Sequence, residues 1–129
     1  MTDRVPGAAI LRWVPALAWM AWIFWLSSQK ALPPAPGLSY SIAAIAGHFV
    51  LYAILTALLV LALSAQRALD RKTAAIIALA SFGYALSDEY HQSFVPGRDA
   101  SPFDLLVDAT GIAFTLTVWA LGWKRFATS

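Results

Sequence analysis

The chain has 129 residues, of which 60% are hydrophobic and 12% are charged, with a net charge of +2 and no cysteine. Because soluble domains carry about 25% charged residues, this composition excludes an ordinary water-soluble protein and indicates a membrane protein. The absence of cysteine excludes disulfides and thiolate metal sites.

Three apolar segments in the first part of the chain can be assigned to membrane spans, each of which takes roughly 20 residues. The first covers about 11–28, and the second, about 42–65, is interrupted only by His48. The third reaches the required length only if it covers 73–94 and includes the polar sequence DEYHQ. Pro96 then favours a stop just after it.

A fourth span is predicted at about 102–123. Its start has a capping pattern, with Ser101 as N-cap, proline at the first helical position and Asp104 three residues after Ser101. The S-x-x-D spacing by itself explains Asp104 as a capping residue. The sequence therefore predicts an all-α integral membrane bundle of four transmembrane helices, forming a single domain over residues 1–129.

Basic residues are distributed unevenly between the two sides of this topology. Lys30 and Arg98 alone fall on one side. The others fall at the two termini and in the second connection: Arg4, Arg12, Arg67, Arg71, Lys72, Lys124 and Arg125. The positive-inside rule therefore predicts that both termini are cytoplasmic. Since these basic residues serve topology at the membrane edge, we expect no nucleic-acid partner.

Ionisable residues from three predicted spans fall at one depth near the outer face. His48, Asp88, Glu89 and Asp108 each lie about five or six residues inside the outer end of a helix, roughly 8–9 Å at 1.5 Å per residue. A charged group facing lipid costs about 2.5–3.5 kcal/mol on insertion scales. We therefore expect these groups to face the bundle interior and to form a polar pocket that opens outward.

Arg98 is the expected counter-charge, because a guanidinium can hold two carboxylates or bind an anionic ligand. Pro96 and Gly97 favour a type II turn that would direct Arg98 over the helix ends. Asp88 and Glu89 are consecutive and point about 100° apart, so the sequence does not decide which of them faces the pocket. The predicted polar cluster consists of Ser28, Gln29, His48, Tyr52, Asp88, Glu89, Gln92, Arg98, Asp104 and Asp108.

The segment DEYHQSFVPGRDASPFDLLVDATG closely resembles the signature of the VanZ-like family, which reads DE-x-x-Q, then PGR, then D-x-x-x-(N/D)-x-x-G. The sequence SSQ at the end of the first span and the H-F-x-x-Y pattern from His48 to Tyr52 also match. One departure is Ile45, where many members have a lysine. The resemblance implies a small protein of the bacterial inner membrane, with a namesake linked to teicoplanin resistance. It supplies no settled biochemical activity.

Three functions stay open. The pocket could bind membrane lipids, a lipid-linked cell-wall precursor or a lipoglycopeptide in the cell envelope. It could instead belong to a membrane enzyme, a hydrolase or transferase acting on a lipid or polyprenyl-linked substrate, with the carboxylates and histidine as general base or as ligands of a divalent ion. The charges could also pair internally and specify helix packing. No nucleophile or metal motif of known spacing is present, so we assign no cofactor and no metal; the sequence does not decide whether the carboxylate and histidine cluster binds a metal ion. The sequence does not establish catalysis or oligomeric state.

Overall fold

The computed structural model describes residues 6–30, 36–37, 40–64 and 68–127, with side chains at 7–30, 36–37, 41–64 and 68–122. Within these residues the chain forms helices and turns and no strand, which confirms the all-α prediction. The helices are α1 (Pro6–Leu11), α2 (Val14–Ser28), α3 (Tyr40–Ser64), α4 (Arg71–Gln92) and α5 (Pro102–Ala127).

Three of these helical stretches are long and apolar enough to cross a membrane: Gly7–Ser28, Ser41–Ser64 and Pro102–Gly122. The protein is therefore a membrane protein. Helix α4 has 22 residues, roughly 33 Å at 1.5 Å per residue, but ionisable residues near both of its ends lower its hydropathy. It is not among the three, so the predicted third span, 73–94, stays a prediction.

The break between α1 and α2 follows from Pro15. Proline has no N–H to donate to the preceding turn, and it lies in the first turn of α2. The N–H of Trp13 donates instead to the carbonyl oxygen of Ile10 at 3.0 Å, and helical bonding resumes where Leu17 N–H donates to Trp13 at 2.9 Å. The two helices together still provide one apolar stretch of spanning length.

Part of the predicted charge asymmetry lies outside the described residues. The structure does not describe Arg4 and Arg67, the side chains of Lys124 and Arg125, or most of the connection at 31–39, which is rich in proline. Arg12, Arg71 and Lys72 are described and exposed. The cytoplasmic placement of both termini stays a prediction.

Helix α3 packs against α2, α4 and α5, and its most extensive contact is with α5. The backbone of α3 lies close to Gly111 of α5, where a Cβ would lie 2.6 Å from the carbonyl oxygen of Phe49 and 3.3 Å from the nitrogen of Ala53. Small residues at such crossings let two backbones come into contact. This contact sets the distance between α3 and α5, which carry His48 and Asp108.

Polar side chains also join helices by donating to carbonyl oxygens of their neighbours. Trp19 Nε1 donates to Leu51 at 2.9 Å, Tyr84 to Met20 at 2.6 Å and Thr115 to Ala53 at 3.0 Å. Such bonds are favourable in a membrane protein because lipid offers no alternative partner. They hold α2, α3, α4 and α5 in register around the polar end of the bundle.

The turn after α4 has the predicted geometry. Helix α4 ends at Gln92, two residues before the expected end of the span at 94. The N–H of Arg98 then donates to the carbonyl oxygen of Val95 at 3.1 Å, and Gly97 has a φ of 82°. A type II turn requires a positive φ at its third residue, and glycine adopts a positive φ without strain.

The start of α4 is capped by Asp70, whose carboxylate accepts hydrogen bonds from the backbone N–H of Thr73 at 2.8 Å and from its hydroxyl at 2.9 Å. The bond from the backbone N–H is the main reason that the pKa of Asp70 lies below its usual value. A lowered pKa stabilises the fold above the unfolded value of about 3.9, and this stabilisation is lost as the pH falls through the folded value.

Asp70→Ala is therefore expected to lower the stability of the micelle-bound protein at about pH 6 and to have a smaller effect at about pH 2, because lowering the pH protonates the carboxylate and weakens the cap. Unfolding titrations of both chains at the two pH values measure this. An equal loss at both pH values would contradict the capping role of the ionised carboxylate.

Candidate functional site

The predicted polar residues lie at one end of the bundle. Helices α2 and α4 end there, at Ser28 and Gln92, while α3 and α5 begin there. Five residues of the predicted polar cluster are almost fully buried in this region: Tyr52, Asp88, Glu89, Gln92 and Asp108. They fall into two groups that share no member.

The first group, here the Asp88 network, consists of Ser27, Tyr52, Asp88 and Gln92. Asp88 Oδ1 accepts a short hydrogen bond from the hydroxyl of Ser27. Its Oδ2 accepts from Tyr52 at 3.2 Å and from Gln92 Nε2 at 3.4 Å, and Gln92 also donates to Ser27 at 3.2 Å. Both carboxylate oxygens are therefore satisfied, and the network connects α2, α3 and α4.

Ser27 belongs to the site, although the predicted polar cluster includes only its neighbours Ser28 and Gln29. Ser28 is exposed, and its hydroxyl donates to the carbonyl oxygen of Phe24 at 2.8 Å and lies 3.5 Å from His91 Nε2. Ser27 lies four residues after Ile23 and therefore on the same face of α2, and both residues are buried. This spacing is the signal that could have identified Ser27. It is a weak signal, since α2 is apolar on all sides.

The second group, here the His48 cluster, consists of His48, Glu89, Asp104 and Asp108. His48 Nδ1 lies 2.9 Å from Asp108 Oδ1, and Nε2 lies 3.8 Å from Asp104 Oδ2. An ionised carboxylate can only accept a hydrogen bond, so Nδ1 is the donor and Nε2 of the neutral ring carries the lone pair. A carboxylate oxygen of Glu89 lies within 4.8 Å of ligand atoms of both His48 and Asp104.

Asp88 and Glu89, between which the sequence could not choose, are both buried and point to different neighbours. Glu89 faces α5, where its Oε2 accepts a hydrogen bond from the N–H of Ser101 at 2.9 Å. Its Oε1 is buried and has no hydrogen-bond partner among the described residues, and the same holds for Oδ2 of Asp108. The His48 cluster therefore contains acceptor oxygens that no described residue satisfies.

Asp104 does not cap α5 with its side chain, although its spacing from Ser101 predicts a cap. The N-cap bond is made by Ser101, whose hydroxyl oxygen accepts from the N–H of Phe103 at 3.2 Å. The carboxylate of Asp104 lies instead beside His48, with 20% of its side chain exposed. The geometry thus places Asp104 in the site rather than at the helix terminus.

Arg98 differs most from its expected role. Its Nε donates to the carbonyl oxygen of Gln29 at 3.0 Å and its Nη2 to that of Leu26 at 2.9 Å. In the described part of the chain no carboxylate lies within 4.0 Å of it. The predicted pairing with carboxylates is therefore wrong: the guanidinium donates instead to carbonyl groups at the C-terminal end of α2, where few helical N–H donors remain. Gln29 contributes its backbone here, while its side chain donates to Trp25 at 3.1 Å.

A cleft of about 530 Å³ opens between the start of α3, the turn after α4 and the start of α5. Of the predicted residues, His48, Gln92, Arg98 and Asp104 line it, while Tyr52, Asp88 and Asp108 lie beneath its wall. Its lining is completed by Ser41, Ala44, Ile45, Gly97, Asp99 and Phe103. The cleft thus has both ionisable and apolar side chains in its lining.

A family model described as VanZ/LLP1 matches residues 10–123. The chain belongs to the VanZ/LLP1 family. The match confirms the resemblance drawn from the sequence and includes every residue of the Asp88 network and the His48 cluster. Among curated proteins and solved structures, the comparisons find no match to this family member.

Proposed function

We propose that this VanZ/LLP1 family member is a multi-pass protein of the bacterial inner membrane that holds the polar head group of an amphiphilic molecule. The cleft carries this proposal. Its volume of about 530 Å³ lies within the range of about 300–1,000 Å³ that small-molecule sites occupy. Ile45 and Phe103 on its wall are 39% and 55% exposed, so an acyl or prenyl chain can leave the cleft along them.

The charged groups of the cleft define the head group that it would accept. Nη1 of Arg98 makes no hydrogen bond within the described chain, so it can bind a phosphate or carboxylate oxygen. Asp104 and Asp99 offer acceptors for amines or hydroxyls. Phospholipids, lipid-linked cell-wall precursors and lipoglycopeptides share this combination of an anionic group, hydrogen-bond donors and an apolar tail.

The proposal places the cleft on the outer face, with four spans and both termini in the cytoplasm. The charged residues of α4 argue against a span only if they face lipid. Asp88 is instead fully hydrogen-bonded within the bundle, and Glu89 is 5% exposed. With its polar face covered, α4 is long enough to cross together with the three apolar stretches.

The cysteine-free chain allows a direct test of this orientation. Asp99 and Ala68 are exposed and lie beyond opposite ends of α4. In intact bacterial spheroplasts, a membrane-impermeant maleimide is expected to label Asp99→Cys, and to label Ala68→Cys only after the membrane is permeabilised. The reverse pattern would contradict the outward orientation, and labelling of both from outside would contradict the crossing of α4.

A second test addresses occupancy of the cleft. Ile45→Trp places a tryptophan in the cleft lining. Val50→Trp places the same side chain at an exposed position of α3 outside the cleft. Native mass spectrometry of purified protein is expected to show at least about tenfold less retained amphiphile for Ile45→Trp than for the wild type and Val50→Trp, equivalent to about 1.4 kcal/mol. The retained mass identifies which amphiphile binds. Equal retention by all three proteins would contradict the proposal.

The His48–Asp108 pair favours one alternative, an enzyme that acts on a lipid or polyprenyl-linked substrate. A carboxylate that fixes the tautomer of an imidazole is a common arrangement for a general base. Incubation of the wild type with membrane lipid extract would then release a product that Asp108→Asn does not release. Retention of an unchanged amphiphile by both proteins would favour binding without reaction.

A further inference from the structure

The geometry points to a divalent metal site in the His48 cluster, with His48, Glu89 and Asp104 as ligands and Asp108 as a positioning residue. The sequence interpretation assigns no metal, because these residues come from three different helices and match no spacing motif. The site forms part of the cleft wall, but it does not depend on the head-group proposal.

The positions of the ligand atoms agree with one shared ion. Two ligands about 2.1 Å from a common metal lie roughly 3.0–4.2 Å apart, depending on the angle between them. His48 Nε2 and Asp104 Oδ2 are 3.8 Å apart. One ligand atom of each of the three residues lies within 4.8 Å of the others, so closure around an ion needs a shift of only about half an ångström for the longest separation.

Glu89 supplies an independent indication of a ligand. It is 5% exposed, and its Oε1 is buried and makes no hydrogen bond with any described residue. A buried carboxylate oxygen without a partner is costly, and proteins satisfy such groups by pairing or by metal coordination. Since Oε2 is held by Ser101 N–H at 2.9 Å, Oε1 is the free oxygen for a metal ion.

Asp108 has the relation to His48 that is typical of metal sites. A metal-bound histidine usually donates its second ring N–H to a carboxylate, which fixes the ring and makes it a stronger ligand. His48 Nδ1 lies 2.9 Å from Asp108 Oδ1, and Asp108 is 1% exposed. The lone pair of Nε2 is thereby fixed on the side of Asp104.

The charge of the cluster also favours a bound cation. It brings together three carboxylates and one imidazole, and within the described residues no Lys or Arg side chain lies within 4.0 Å of any of them. Arg98, which lines the same cleft, donates to carbonyl groups at the end of α2. A bound divalent ion would neutralise charges that the protein leaves uncompensated.

The donor set of one imidazole nitrogen and two carboxylate oxygens favours Zn²⁺ over Ca²⁺ or Mg²⁺, which prefer oxygen ligands alone. Three protein ligands leave at least one coordination position for another molecule. Because His48 and Asp104 line the cleft, this position is accessible from it.

The test is Zn²⁺ binding to purified full-length protein in detergent, without a polyhistidine tag, after chelator treatment. We expect about one Zn²⁺ per wild-type chain. The dissociation constant should be at least about tenfold higher for Glu89→Gln and Asp104→Asn. Asp108→Asn should weaken Zn²⁺ binding by about 10–100-fold, as the loss of a carboxylate that orients a metal-bound histidine does in other metal sites. His91→Gln and Asp70→Asn are the matched controls, because they replace the other histidine and a distant carboxylate. Both should leave the dissociation constant for Zn²⁺ unchanged.

Absence of Zn²⁺ binding by the wild type, or equal affinity of the wild type and the three cluster variants, would overturn the metal site. If a variant fails to fold, X-ray absorption of the Zn²⁺-loaded wild type decides instead: one imidazole and otherwise oxygen ligands are expected, and a shell with two or no imidazoles would overturn it. Amphiphile retention by chelator-treated wild type is a separate measurement, so either proposal can fail alone.

Discussion

Gly111→Ala is expected to lower the free energy of unfolding by about 3 kcal/mol, the upper part of the range for overpacked sites. The added Cβ would lie 2.6 Å from the carbonyl oxygen of Phe49, and a backbone atom cannot move aside as a flexible side chain can. Helices α3 and α5 must therefore separate. Unfolding titrations in mixed micelles measure the loss.

The same substitution at Gly122 is the matched control, because it lies on the same helix and a Cβ there meets nothing within 4 Å. Gly122→Ala should be neutral or stabilise α5 by up to about 1 kcal/mol through helix propensity. Equal effects at the two glycines would contradict the close contact. Gly111→Ala should also weaken Zn²⁺ binding, since Asp108 lies one turn away and would move away from His48.

Asp88→Ala is expected to destabilise the protein by about 2–4 kcal/mol, because it removes the acceptor shared by Ser27, Tyr52 and Gln92 and leaves buried donors unpaired. Asp88→Asn keeps one acceptor oxygen and should cost less. The free energy of unfolding in mixed micelles, measured for both variants, gives the comparison.

Asp99→Ala controls for the loss of a carboxylate near the same end of the bundle. Asp99 is exposed in the turn region, so its replacement should change stability by less than about 0.5 kcal/mol. If Asp88→Ala were as mild as Asp99→Ala, the Asp88 network would not be a stabilising connection between α2, α3 and α4.

The helices could largely be predicted from the sequence, because apolar length and turn residues are local signals. The second and fourth predicted spans correspond to α3 and α5, and the Pro96–Gly97 turn has its expected bond. The end of α4 is two residues earlier than expected, since Val95 and Pro96 limit the helix without defining its last residue. The hydropathy of α4 cannot show that its polar face is covered, which is a tertiary property.

The sequence predicts the members of the site from their depth in the membrane, that is, from their distance to a helix end. Depth does not show which partner each side chain contacts. Counting residues from helix ends placed His48, Glu89 and Asp108 at one level, and the structure brings them together. The direction of Arg98 depends on where the last carbonyl groups of α2 lie in space. No periodicity along the chain contains that information, and the same applies to the choice of Ser27 over Ser28.

Photocrosslinking from the cleft wall tests the central claim, that the cleft selects one head group from the membrane. Benzoylphenylalanine in place of Ile45 would report on the cleft, and the same residue in place of Val50 on the surrounding lipid. After irradiation of intact membranes, we expect one enriched anionic amphiphile attached at position 45. At position 50 we expect a mixture with the composition of the bulk lipids. The same bulk mixture at both positions would contradict it.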